Sequence, residues 1–183
     1  MKGRHKIIFV GGVHGVGKTT LCASLCSKFG IEHYSASDLI SKIKQVKFSS
    51  KRTSDIERNQ DILITALDEF TGYDKYFLLD GHFVLIDNKD NIIRIPYSTY
   101  AAMSPAAIVL LNDTPEAIFL RLKERDKEKI TVEQLRALQE EEIGYSKEVA
   151  SALAIPYLLT NPLTEIELIS DFVDKLLAEG GVK

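Results

Sequence analysis

The sequence predicts a three-layer α/β fold: a five-stranded parallel sheet with helices on both faces, a short lid and a small β-hairpin insert. Three observations carry that expectation. Short apolar, nearly uncharged runs alternate with helical patterns from one end of the chain to the other. The 183 residues, 45% of them hydrophobic, suit a single domain (1–183) that can bury a core without a metal or disulfide staple. A glycine-rich turn, Gly12 to Gly17, joins the first apolar run directly to the first helical one.

Each element has a local reason. Ile7–Val10 reads as a buried strand, and Lys18–Phe29 as a helix closed by Gly30. Glu32–Ser35 is a second strand, followed by helical Asp38–Gln45. Ser54-Asp55-Ile56-Glu57 is a capping box opening a helix with Ile56, Leu63, Leu67 and Phe70 on one face. Tyr76–Leu79 is a third strand that ends at Asp80. Val84–Asp87 and Ile92–Ile95, on either side of Asn88–Asn91, predict the hairpin. Ala107–Leu111 is a fourth strand, and Thr114-Pro115-Glu116 starts a helix with proline at its first position. That helix runs into the charged stretch Arg121–Lys129. Thr131 to Gln134 caps a long helix reaching about Leu153, Ile155–Leu159 is the fifth strand, and Thr164 to Glu167 caps a last helix to about Ala178.

Composition narrows the function classes. A net charge of −3 argues against a general nucleic-acid binder. The run Ile7–Val10 is far too short for a membrane span or a signal core, so a cytoplasmic protein is expected. Cys22 and Cys26 fall on one helical face, with no His or Cys cluster near them in sequence, and read as small buried hydrophobes.

The chemistry sits in Gly12-Val13-His14-Gly15-Val16-Gly17-Lys18-Thr19, which fits G-x-x-x-x-G-K-[ST] between a strand and a helix. Such a loop turns its backbone N–H groups toward phosphate oxygens, and the helix N-terminus adds partial positive charge. The loop residues through Thr20 are therefore the ATP-binding set, with Lys18 on the β- and γ-phosphates and Thr19 on Mg²⁺. The His14 side chain is expected to face solvent or pack in the loop.

The rest of the chain selects the reaction. Asn88-Lys89-Asp90-Asn91 misses the N-K-x-D that guanine recognition requires, and an ABC or AAA+ module would need more chain. A small kinase fits the length. Asp80, closing an apolar strand, suits Mg²⁺ or its waters. Arg121 and Arg125, four apart on a helix, can clamp a transferring phosphoryl group. Residues 39–54 hold Lys42, Lys44, Lys47, Lys51 and Arg52 and no acid, a cationic run suited to an anionic acceptor.

With those residues in view, the chain resembles the nucleoside monophosphate kinases, especially archaeal-type adenylate kinases, over roughly Ile7 to Asn161. Tyr34 to Ile40 looks like the acceptor segment after the second strand, and Asp80-Gly81-His82 like the archaeal-type Asp-x-His. Asn112 to Glu116 resembles the turn into the lid helix, and Arg121 with Arg125 its arginines. The resemblance implies transfer of the ATP γ-phosphoryl group to a nucleoside monophosphate. It also implies a lid of about 121–131 and His82 near the reacting phosphates; the acceptor-binding segment is expected at about 36–72, with Asp38, Arg52 and Arg58 joining His82 as the acceptor-binding residues. It departs at Ala36, Ser41 and Val84, where common adenylate kinases carry Thr, Arg and Arg. The partners expected are thus ATP and a small anionic acceptor, with no membrane or nucleic acid. The alternatives are a kinase of another small metabolite, or an adenylate-kinase-like regulatory or assembly ATPase.

Overall fold

In the computed structural model, residues 5–47, 56–73, 75–87, 89–125 and 130–180 are described, with the side chains of 46, 47, 56–60 and 125 set aside. Five strands form one parallel sheet: β1 (Lys6–Gly11), β2 (Glu32–Ser35), β3 (Tyr76–Asp80), β6 (Ala107–Leu111) and β7 (Tyr157–Thr160), in the order β2-β3-β1-β6-β7. The hairpin β4 (Val84–Ile86) and β5 (Ile92–Arg94) forms a separate two-stranded antiparallel sheet. The helices are α1 (Lys18–Phe29), α2 (Ala36–Lys47), α3 (Ile56–Phe70), α4 (Tyr97–Met103), α5 (Pro115–Arg125), α6 (Val132–Leu153) and α7 (Ile166–Gly180).

The central strands are apolar throughout because both of their faces are covered. Ile7, Ile8, Val10, Ala107, Ile108, Val109 and Leu110 have no solvent exposure. Phe9 extends the core toward the hairpin, edge-to-face with both Phe83 and Tyr100. Register then places the functional ends level with one another. Val10 pairs Asp80, and Asp80 pairs Ser35, so three strand ends meet at one carboxyl edge. The strand order reverses around β1, and that is where an open α/β sheet forms its crevice.

Three expectations needed correction. Helix α4, Tyr97–Met103, follows the hairpin where no element was expected. It starts beyond Pro96, and at seven residues it is too short to show much periodicity. The last strand begins at Tyr157, two residues late, because Ala154 takes a left-handed φ of 53° in closing α6. The last helix begins at Ile166 without the Thr164 box. The Glu165 carboxylate instead accepts from Thr160 Oγ1 (2.9 Å) and Asn161 N–H (2.8 Å), tying the turn back to β7. The Thr131–Gln134 capping box is present in full, its two bonds 3.1 and 2.9 Å long. The Ser54–Glu57 box falls outside the described residues.

Candidate active site

The loop between β1 and α1 is shaped by glycines that no other residue replaces. Gly12 has φ 143°, and a Cβ there would lie 2.8 Å from the Leu111 carbonyl oxygen. Gly15 has φ 80°, and its Cβ would meet the Leu122 side chain at 2.8 Å. Both φ values belong to glycine, and at Gly12 the backbone oxygen leaves no room for a side chain. Gly17, with φ 110°, then caps α1 and leaves the first-turn N–H groups open to the cleft.

That cleft has a volume of about 580 Å³. His14, Gly15, Gly17, Lys18, Thr19 and Thr20 line its floor, Ser35, Ser37, Asp80 and His82 one wall, and Arg121, Leu122 and Glu124 the other. Lys18 is buried, and its Nζ donates to the loop's own carbonyls, Gly12 O at 2.6 Å and Val13 O at 3.1 Å. Burial lowers its pKa to about 8, against the raising pull of Glu142 and Asp80. Arriving phosphates would favour the protonated form further and draw the ammonium off the carbonyls.

Arg121 is aimed by its neighbours. Its guanidinium donates to Gly15 O at 2.9 Å and pairs with the Asp113 carboxylate. Asp113 is fixed in turn by Gln139, which accepts from its N–H (3.2 Å) and donates to its carbonyl (2.7 Å), and by Asn161 Nδ2 at 3.1 Å. Partial burial lowers the Arg121 pKa without discharging it.

Asp80 is nearly buried at the end of β3, with His33 Nε2 2.6 Å from its Oδ2. The hydroxyl of Thr19 and the carboxylate of Asp80 face one cleft, and both are the hard oxygen ligands that Mg²⁺ takes. The donor set therefore fits that ion. One correction concerns Cys22, which has no histidine near it in sequence. In the fold its sulfur, a His33 ring nitrogen and an Asp80 oxygen all lie within 4.8 Å of one another. Burial pushes the Cys22 thiol well up, so a neutral thiol packs beneath the pair.

His82 stands between two spaces. It lines the cleft and also an adjoining apolar pocket of about 100 Å³, walled by Phe9, Ala36, Ile40, Leu63, Gly81, Leu85, Ile95, Thr99, Tyr100 and Met103. Burial first, then Lys18 and His14, hold the His82 pKa down to about 3, so the imidazole is neutral near pH 7. The pocket wall carries the buried Thr99 Oγ1, which has no hydrogen-bond partner among the described residues.

The other expected site residues divide. Asp38 is exposed in the first turn of α2 and does not line the cleft, where Ser35 and Ser37 stand instead. Arg52 lies outside the described residues, as do the side chains of Arg58 on α3 and Arg125 at the end of α5. Sequence reasoning missed Glu142. It is buried on α6, and its carboxylate accepts the N–H groups of Gly12 (3.1 Å), Phe83 (3.0 Å to each oxygen) and Val84 (2.7 Å). Burial raises its pKa, opposed by those three donors and by Lys18. A signal existed, because Glu142 interrupts the buried stripe Leu135, Leu138, Tyr145, Val149 at helical spacing.

A phosphate-cradling loop, a lysine, an aimed arginine and an acidic strand end on one parallel sheet define a P-loop phosphotransferase. The chain belongs to the family described as AAA domain, whose match covers residues 11–139. That span runs from the end of β1 into α6, so the family match covers the nucleotide-binding core, although length alone had argued against a AAA+ module. The chain is 28% identical to human adenylate kinase isoenzyme 1 over 187 residues, covering 97% of this chain and 88% of that protein. Among solved structures it is similar to a gluconokinase from Sinorhizobium meliloti 1021, with TM-score 0.55, 14% identity and 98% and 94% of the two chains covered. A sugar kinase from Janibacter sp. HTCC2649 gives TM-score 0.52 and 13% identity, with 95% of each chain covered. At those identities the two structures speak for the fold. Among the described residues, no helix is long and apolar enough to cross a membrane.

Proposed function

We propose that this kinase transfers the γ-phosphoryl group of Mg·ATP to a nucleoside monophosphate. The observation that carries the acceptor class is the apolar pocket beside the cleft, with the unpartnered Thr99 hydroxyl in its wall. A planar base buries two apolar faces there, and rotation of the Thr99 side chain would bring its buried hydroxyl to the base's polar edge. A polyhydroxylated acid would bring several hydroxyls into a wall with few partners for them, each leaving a desolvated group unpaired. Similarity to adenylate kinase isoenzyme 1 supports the same reading.

Phosphoryl transfer asks the protein for positioning and for positive charge more than for covalent chemistry. The loop amides and Lys18 would hold the β- and γ-phosphates. Arg121, set against Gly15 by Asp113, would meet the charge of the transferring group from the opposite wall. Thr19 and Asp80 would hold Mg²⁺, which when bound neutralises phosphate oxygens. Neutral His82 supplies hydrogen bonding without charge where cleft and pocket meet. Arg125, with the segment 121–131, is assigned to closing over the phosphates, and Asp38, Arg52, Arg58 and the segment 36–72 to the acceptor. A cytoplasmic setting goes with this reading.

A coupled ADP-release assay with Mg·ATP tests it, run across AMP, CMP, GMP, UMP, the deoxynucleotides and gluconate with Lys18→Ala as blank. Strong stimulation by one monophosphate is expected. Stimulation by gluconate alone, or a slow rate indifferent to every acceptor, would contradict it.

A further inference from the structure

A buried carboxylate is costly unless donors converge on it, and those on Glu142 come from two separate loops. Gly12 opens the phosphate loop, while Phe83 and Val84 directly follow Asp80-Gly81-His82, which lines the opposite wall. The Gly12 residue is gripped twice, its N–H by Glu142 and its carbonyl by Lys18 Nζ at 2.6 Å. The planar carboxylate is rigid, so the phosphate loop cannot shift against the 81–84 loop without stranding an N–H in an apolar interior. Glu142 does not line the cleft, and nothing in the transfer described above uses it. One turn earlier on α6, Gln139 holds the Asp113 that aims Arg121. One helix face thus sets the donor loop, the acceptor-side loop and the arginine.

We propose that Glu142 is a positioning residue that holds the phosphate loop and the 81–84 loop in one frame, so that nucleotide on the first is felt at the second. This rests on the phosphotransferase reading, and only its turnover arm needs a known acceptor.

Amide hydrogen exchange by NMR on the ¹⁵N-labelled full chain tests it, with and without a non-hydrolysable Mg·ATP analogue. In the wild type the analogue slows exchange at Phe83 and Val84 as well as in the phosphate loop. Glu142→Gln keeps the shape but turns an NH₂ toward N–H donors. In that variant the loop still responds to the analogue, whereas Phe83 and Val84 do not. Its turnover per folded molecule falls roughly 30- to 100-fold, the scale of a small misplacement of reacting groups. Glu142→Asp, charged but one methylene shorter, loses the same coupling.

Wild-type Phe83 and Val84 amides indifferent to the analogue would overturn the proposal, and that outcome needs no variant to fold. So would Glu142→Gln turnover within about 3-fold of wild type, or faster exchange at Ile8 and Ile108 equal to that at Phe83, the mark of general destabilisation. An acceptor screen negative for every monophosphate would sink the acceptor assignment and leave the exchange result standing as the test of Glu142.

Discussion

Lys18 illustrates how burial makes a charged residue conditional. Its ammonium sits on two carbonyls of its own loop, desolvated enough that its pKa falls to about 8. Nucleotide phosphates prefer the protonated form, so affinity for Mg·ATP is greatest below that pH and declines above it. The expected outcome is a kcat/KM for Mg·ATP that is flat from pH 7 to about 8 and then falls, approaching tenfold per pH unit. Initial rates across that range check it, and a flat profile to pH 10 would exclude the assignment. Lys18→Ala and Arg121→Ala should each lower turnover at least ~10²-fold while leaving the circular dichroism spectrum intact. Thr99→Val removes the unpartnered hydroxyl and keeps the shape. It should raise KM for the preferred monophosphate about 5- to 30-fold, the loss of one hydrogen bond, with KM for Mg·ATP unchanged. An equal effect on both substrates would remove Thr99 from the acceptor pocket.

At the scale of the elements, α6 does more than cover the sheet. Its N-terminus is fixed by the Thr131–Gln134 box, and its buried face carries Gln139 and Glu142 into the site. Thr131→Ala should cost about 1 kcal/mol in denaturant unfolding, the usual price of a lost cap, with kcat within about 2-fold because both pins stay in register. How far each element was legible in sequence follows from where its information lies. The phosphate loop, α1 and β6 were legible because glycine placement and unbroken apolar runs are local signals. The α4 helix was not, since what holds Tyr100 there is tertiary, its ring against Phe9, Phe83 and Tyr145 and its hydroxyl on the His82 carbonyl. Glu142 was hidden for a related reason. It sits in the run Glu140-Glu141-Glu142, and although helical spacing singles it out, the N–H groups that satisfy it lie far away in sequence.

For the whole molecule, the parallel sheet explains why the site is where it is. The ends of β1, β2, β3 and β6 deliver the phosphate loop, Ser35, Asp80 and Asp113 to one edge, and the reversal of strand order opens space between them. Lys18, Thr19, Asp80 and Arg121, carried at or just beyond those strand ends, line one cleft. The apolar pocket proposed for the acceptor is walled by side chains from the hairpin and α4 as well as from the shared core, and that assembly carries no local signal. Thr99 enters the pocket wall from a helix that sequence did not reveal.

A kinase is defined by where the phosphoryl group goes, and the decisive measurement follows that group. Phosphorus NMR of the wild type with Mg·ATP and the best monophosphate, with Lys18→Ala alongside, reads the products directly. ADP and a second nucleoside diphosphate are expected in equal amounts, with little inorganic phosphate, and neither product with Lys18→Ala. Inorganic phosphate as the sole partner of ADP, at a rate the monophosphate leaves unchanged, would contradict that expectation.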